Sequence, residues 1–216
     1  MEFLTLLNTS FRTNCYVLLG KTTCAVIDPV IKHDDVLKAS GKAKVEMVLI
    51  THGHFDHFCE LESYLKKGVP VYLSREANIK LANPSLSVSK MFVNGLKFEL
   101  VGASLGKSKG NSGAPQLPHQ QKAEVQAFFV KQGDIIKLDD EQIIVHKFKG
   151  HTDCGLAFEL DKNLFAGDFV FAHGYIGRTD LPTGSEEDMQ ESLKRFENGF
   201  AGFSVFPGHG RSFKKE

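Results

Sequence analysis

Within six residues the sequence sets three histidines and an aspartate, His52-Gly53-His54-Phe55-Asp56-His57. In an extended stretch, side chains at i and i+2 project to one side. His52 and His54 can therefore grip one cation while Asp56 and His57, where the chain turns toward a helix, address another. Three later segments repeat the theme, Gly150-His151-Thr152-Asp153, Gly167-Asp168 and Gly208-His209, each following a strand-like run. Glycine beside such a group lets backbone come close to an ion and take turn angles that other residues resist. The seven groups sort into His52, His54 and His151 around one ion and Asp56, His57 and His209 around a second, with Asp168 able to bridge. Imidazole with carboxylate suits zinc, iron or manganese, zinc being the expected pair of ions, and the lack of thiolate argues against a closed structural zinc site. Two divalent ions about 3.5–4 Å apart activate a shared water and polarise a carbonyl. Asp56 can orient that water or accept its proton, so Asp56 and Asp168 are the catalytic carboxylates of an expected metal-dependent hydrolase for an activated carbonyl or related ester.

Strands must carry these groups. Tyr16 to Leu19 and Cys24 to Ile27 flank Gly20-Lys21-Thr22-Thr23, a hairpin signature, and Asp28-Pro29 ends the second run. Val45 to Ile50 reads as a buried strand running straight into the His52 segment. Phe58, Leu61 and Leu65 then recur at helical spacing before Gly68, and Val69 to Leu73 is strand-like again. This order, strand, loop, helix, strand, places the histidine loop at a strand's carboxyl end, where α/β proteins hold ligands. Arg75 to Ala82 is a short predicted helix. Farther on, Ile135 to Leu138 with Gln142 to His146, and Leu156 to Leu160 with Leu164 to Ala166, form two more hairpins about acidic or Asn-bearing turns. Glu187 to Asn198 is a predicted helix started by Ser185 with Asp188 three residues on, and Phe203 to Phe206 is a last strand. Ala103 to Ala123, rich in Gly, Ser, Pro, Lys and Gln, is too polar to offset its ordering entropy and is expected to be a flexible insertion.

The chain of 216 residues, 42% hydrophobic and 24% charged, is expected to form one domain over residues 1–216. Its 26 basic and 26 acidic residues balance, so no general positive field draws nucleic acid or anionic lipid. Its apolar runs fall short of the roughly 20 residues a membrane helix needs. The start, Met1-Glu2-Phe3-Leu4, lacks the basic region of a secretory signal, and Cys15, Cys24, Cys59 and Cys154 form no C-x-x-C pair. A cytoplasmic protein acting on a small molecule, with neither nucleic acid nor membrane as partner, is expected. His33, His119, His146 and His173 stand apart from the cluster and read as surface or hydrogen-bonded histidines. Asp28, Asp153 and Asp180 are either turn residues or partners for imidazole N–H groups.

T-H-G-H-F-D-H (Thr51 to His57), G-H-T-D (Gly150 to Asp153), A-G-D (Ala166 to Asp168) and P-G-H-G (Pro207 to Gly210), in this order, resemble the metallo-β-lactamase superfamily. The resemblance implies an α/β fold, a four-layer αββα sandwich with the metal site at the edge between two sheets. It implies the ligand roles grouped above, with Asp28 as the early strand-end Asp that supports the site. Asn14-Cys15-Tyr16 and Gly177-Arg178-Thr179-Asp180-Leu181-Pro182 resemble the glyoxalase II-like branch, especially its short single-domain members. That branch implies hydrolysis of a hydroxyacyl-glutathione thioester, with Tyr175, Arg178, Thr179 and Asp180 as substrate-side candidates. The lysine and tyrosine that typical members place after the bridging Asp have no clear counterpart pair in Ala172 to Gly177, and full-length members add a C-terminal helical domain. G-H-T-D and G-R-T-D also resemble the persulfide dioxygenase branch, which implies a single iron on His52, His151 and Asp168. A hydrolase of another small ester or lactone is a further alternative.

Overall fold

The computed structural model describes residues 1–91, the backbone of 101–104, and residues 126–216. The first half runs β1 (Glu2–Asn8), β2 (Thr13–Leu19), β3 (Thr23–Ile27), α1 (His33–Ala39), β4 (Lys44–Leu49), α2 (Leu61–Leu65), β5 (Val71–Leu73), α3 (Arg75–Leu81), β6 (Val101–Ser104) and β7 (Gln126–Phe129). The second runs β8 (Ile135–Leu138), β9 (Glu141–Lys147), β10 (Leu156–Leu160), β11 (Asn163–Gly167), α4 (Glu186–Gly199), β12 (Ser204–Pro207) and β13 (Phe213–Lys214). Among the described residues they form two mixed sheets, ordered β1-β2-β3-β4-β5-β7-β6 and β13-β12-β11-β10-β9-β8.

Strand alternation builds the layers, because successive side chains leave a strand on opposite faces. Cys15 and Val17 of β2, with Cys24 and Val26 of β3, face outward onto Val36 of α1, Leu61 and Tyr64 of α2, and Ala77 and Leu81 of α3. Their neighbours Tyr16, Leu18, Ala25 and Ile27 face inward onto Ile143, Val145, Phe158 and Phe165 of the second sheet. On that sheet's far side Ala157, Leu164, Ala166 and Val205 meet Met189 and Phe196 of α4. Helix, sheet, sheet and helix therefore enclose three apolar layers, the expected αββα sandwich. No helix among the described residues is long and apolar enough to cross a membrane.

The three expected hairpins form, β2 with β3, β8 with β9, and β10 with β11, all antiparallel. Ser185 caps α4 by accepting the Asp188 N–H at 3.2 Å, and Ser74 caps α3 by accepting that of Ala77 at 3.1 Å. β1, α1, β6, β7 and β13 lay outside the sequence pattern. β1 is an edge strand whose side chains are mostly half-buried or exposed, and α1 starts at Lys32 without a side-chain cap. The expected insertion, Ala103 to Ala123, begins inside β6, since Ala103 and Ser104 pair with Phe128 and Phe129. The rest of it, with His119, lies outside the described residues.

β3 and β4 run parallel in one sheet. β11 and β12 run parallel in the other, and β9 shares their direction through antiparallel β10. All five release their carboxyl ends toward one edge of the sandwich, where the segments carrying Asp28, His52 to His57, His151, Asp168 and His209 follow.

Candidate metal centre

The seven predicted ligands meet at this edge. Their ligand atoms gather into three trios, His52 with His54 and His151, His52 with His57 and Asp168, and Asp56 with His57 and His209, each within 4.8 Å. Asp168 stands between the two halves. Its Oδ1 lies 3.3 Å from His57 Nε2, and its Oδ2 lies 3.4 Å from His209 Nε2 and 3.8 Å from His151 Nε2. Asp56 Oδ2 is 3.2 Å from His209 Nε2 and 3.8 Å from His57 Nε2. Gly208 is needed for this crowding, because a Cβ there would lie 2.3 Å from Asp168 Oδ1 and 2.5 Å from His57 Cε1.

Outer hydrogen bonds fix which imidazole nitrogen faces inward, as they do for metal-binding histidines generally. His57 Nδ1 donates to Asp28 Oδ2 at 2.8 Å, His209 Nδ1 to the Arg12 carbonyl at 3.0 Å and His151 Nδ1 to the Arg178 carbonyl at 2.8 Å. The Thr51 hydroxyl donates to Asp28 Oδ2, so it accepts from His52 Nδ1 at 3.1 Å. Asp28 Oδ1 takes the Thr51 backbone N–H at 2.8 Å as well. In each case the opposite nitrogen, Nε2, turns a lone pair into the site. His54 Nδ1 sits 2.9 Å from His151 Nε2. Two lone pairs at that separation are reconciled by a shared proton or a shared cation.

The residues fit metal ions. Nε2 of His52, His54 and His57 and Oδ1 of Asp168 are buried with no hydrogen-bond partner. Each such atom costs about 1–3 kcal/mol when left unsatisfied, and three of them, on His52, His57 and Asp168, belong to groups within 4.8 Å of one another, which is what a divalent cation would relieve. The donor set of imidazole and carboxylate, without thiolate, suits zinc, iron or manganese.

Charge divides the metal-free site in two. Burial, with His151 beside it, pushes His54 down to about 3, and burial with His57 and His54 holds His52 well below the ordinary imidazole range. Burial opposes the charging of His57 too, yet Asp168, Asp28 and Asp56 outweigh it and hold His57 well above that range. His209 is likewise raised against its burial, to about 9, by Asp168 and Asp56. The carboxyls respond in kind: despite burial, His57 and His209 hold Asp168 and Asp56 below the ordinary carboxylate range.

A cavity of about 300 Å³ opens over His54, Asp56, His151 and Asp168, walled by Val88, Met91, Phe171 and Leu181 with Gly177 and Arg178 at its side. Gly177 and Arg178 also border a neighbouring groove that Thr179 lines. The other substrate-side candidates are elsewhere. Tyr175 is 70% exposed and lines neither space, its carbonyl serving instead to accept the Phe171 N–H. Asp180 is exposed and grips Arg178 with both oxygens, at 2.7 and 2.6 Å. Asp153 reaches the Lys80 ammonium at 2.6 Å rather than any imidazole, because its side chain turns away from His151 toward α3. His33 and His146 pair with Asp34 and Glu159, and His173 with Arg211.

Two residues read only as part of a resemblance turn out to hold His209 in place. Asn14 Nδ2 donates to the carbonyls of Pro207 and Gly210 at 3.0 and 2.9 Å, and the Tyr16 hydroxyl donates to that of Pro207 at 2.6 Å. The Asn14 backbone N–H adds a bond to the Gly208 carbonyl at 2.7 Å. These partners lie more than 190 residues apart in the chain, and no local pattern in the sequence announces them.

Similarity to known proteins follows this geometry. Hydroxyacylglutathione hydrolase GloC of Haemophilus influenzae is 27% identical over 191 residues, covering 86% of this chain and 79% of that protein. Among solved structures, the BLEG-1 B3 metallo-beta-lactamase superposes with a TM-score of 0.75 at 20% identity, over 99% of this chain and 94% of the other. A protein crystallised in a di-iron-bound form gives 0.69 at 23% identity, over 98% and 94%. At these identities the two structures show a shared fold. The Metallo-beta-lactamase superfamily model matches residues 8–209, from the end of β1 through the last of the seven converging side chains, and the chain belongs to that superfamily.

Proposed function

We propose that this protein is a dinuclear metallohydrolase that cleaves a thioester, of the hydroxyacyl-glutathione kind. The observation that carries the reading is the convergence of His52, His54, Asp56, His57, His151, Asp168 and His209, with buried ring nitrogens and a carboxylate oxygen unpartnered among them. His52, His54 and His151 would hold one ion, Asp56, His57 and His209 a second, and Asp168 would touch both. Bound divalent ions lower the pKa of water to about 7 and polarise a carbonyl oxygen, and zinc, iron and manganese all suit these donors.

The chain's own residues supply the rest. Asp56, whose carboxylate faces the cavity, accepts the proton of the attacking water. Asp168 fixes the spacing of the two halves. Val88, Met91, Phe171 and Leu181 keep solvent from the reacting carbonyl and receive a small acyl group. Among the described residues no serine or cysteine lines the cavity, and water is the nucleophile of this reading. The hydroxyacylglutathione hydrolase relative supports a thioester as substrate, and the thiol carrier then extends along the groove at Arg178 and Thr179. Four free cysteines, three of them buried, suit a reducing cytoplasm.

Thiol release from S-lactoylglutathione tests the reading, alongside metal analysis. Two equivalents of metal per chain and turnover abolished by a chelator are expected. One equivalent of iron, with oxygen uptake on glutathione persulfide and no thioester cleavage, would contradict it and favour a dioxygenase.

A further inference from the structure

Among the described residues Lys80 is the largest buried charged side chain, 2% exposed, and the hydrolysis has no use for it. It sits in α3, on the far side of the histidine loops from the cavity. Its stem lies on Gly53, the residue between His52 and His54. A Cβ on Gly53 would come within 2.6 Å of Lys80 Cβ and 2.8 Å of its Cδ, so only glycine leaves room for the stem. Its ammonium meets Asp153 Oδ1 at 2.6 Å, two residues beyond His151. The start of the same helix grips the same loop, for the Ser74 hydroxyl donates to the Cys154 carbonyl at 3.0 Å. Cys154 closes the triangle by accepting the Gly53 N–H on sulfur at 3.3 Å.

We propose that Lys80 is a positioning residue for the three-histidine pocket: its stem sets the His52-Gly53-His54 turn, and its ammonium, through Asp153, sets the loop that carries His151. The proposal rests on the metallohydrolase reading above. Both loops bearing this pocket touch α3, whereas His209 is held by Asn14 and Tyr16 and His57 by Asp28. Lys80 therefore acts on one pocket and not the other. A fully buried ammonium is expensive to desolvate, and replacing a buried pair by apolar groups is often neutral or stabilising. Asp153 is 41% exposed and remains solvated without its partner. Global stability alone gives no reason for a lysine here.

Zinc titration of the metal-stripped full chain tests this in Lys80→Met, which keeps the stem on Gly53 and removes the charge. In a His209→Ala background, with the three-histidine pocket left, the substitution is expected to weaken zinc roughly 10- to 100-fold, the usual effect of losing an outer partner. In a His151→Ala background it should change the remaining affinity by clearly less, about threefold or under, since His57 and His209 keep tethers of their own on Asp28 and the Arg12 carbonyl. The thermal midpoint of the metal-free protein should stay level or rise. Equal losses in both backgrounds, no loss in either, or a loss confined to the His151→Ala background would overturn the proposal. If Lys80→Met does not fold, Asp153→Asn cuts the same tether and is titrated in the same two backgrounds. A parent chain that binds none of zinc, iron and manganese would instead remove the metallohydrolase reading, and this inference with it.

Discussion

In His52, His57, His151 and His209 the inward-facing nitrogen owes its lone pair to a hydrogen bond on the other side of its ring, and the charges around such a nitrogen decide whether a proton occupies that lone pair before a metal does. His57 and His209, raised by Asp168 and its neighbours, the latter to about 9, hold a proton at pH 7 in the metal-free protein. His52 and His54, pushed down by burial, do not. Metal binding needs neutral imidazole. Filling the His57 and His209 pocket at pH 7 is therefore expected to release about two protons and to tighten as pH rises, whereas His52 and His54 of the other pocket have no proton to give there. Calorimetric titration in buffers of different ionisation heat checks this, and equal proton release at both pockets would contradict it. Stability of the metal-free protein follows the same shifts. The raised His57 and His209 contribute stability that is full below about pH 6.5 and lost as pH climbs through their raised ranges, about 9 for His209. The lowered Asp168 and Asp56 contribute stability present above the ordinary carboxylate range and lost in acid. His52 and His54, kept neutral, also penalise the folded state as pH falls below about 6.5. These residues were legible in the sequence because histidine is scarce and five of the nine fall in glycine-bearing segments after strands. Asp153 stayed open between a turn residue and an imidazole partner because sequence places a residue in a loop without saying which way its side chain turns.

The ligand loops are held by whole elements. β2 carries Asn14 and Tyr16 under the loop after β12, joining the first sheet to the segment that presents His209. Asn14→Ala removes two side-chain hydrogen bonds, leaving the Pro207 carbonyl with the Tyr16 hydroxyl as its side-chain donor and the Gly210 carbonyl without one from Asn14. A cost of about 1–3 kcal/mol in stability is expected, with roughly tenfold weaker binding of one of two metal ions. Denaturant unfolding and metal titration measure both, and two unchanged affinities would show that the loop holds itself. Hairpins and capped helices were legible because their signals are local: Gly20 to Thr23 between β2 and β3, or Ser185 ahead of α4. β1 and α1 escaped because one is an edge strand with little full burial and the other lacks a side-chain cap. Tertiary packing supplies what their sequences do not.

Across the whole molecule, the site exists because two sheets release strands toward a common edge while their inner faces stay packed. Phe158 and Phe165 of the second sheet fill that interface against Tyr16, Leu18 and Ile27 of the first. Phe158→Ala is expected to cost about 3–5 kcal/mol, lowering the thermal midpoint by about 6–20 °C at this chain length. A change of only a degree or two would mean that the sheets do not depend on each other as described. The sandwich was legible only through the resemblance carried by four short motifs, since strand periodicity alone does not say which sheet a strand joins. The most direct measurement of the central claim is anomalous scattering from crystals grown with zinc. The account predicts two peaks about 3.5–4 Å apart, one ringed by His52, His54 and His151, the other by Asp56, His57 and His209, with Asp168 between them. A single peak, or ions bound away from these side chains, would contradict it.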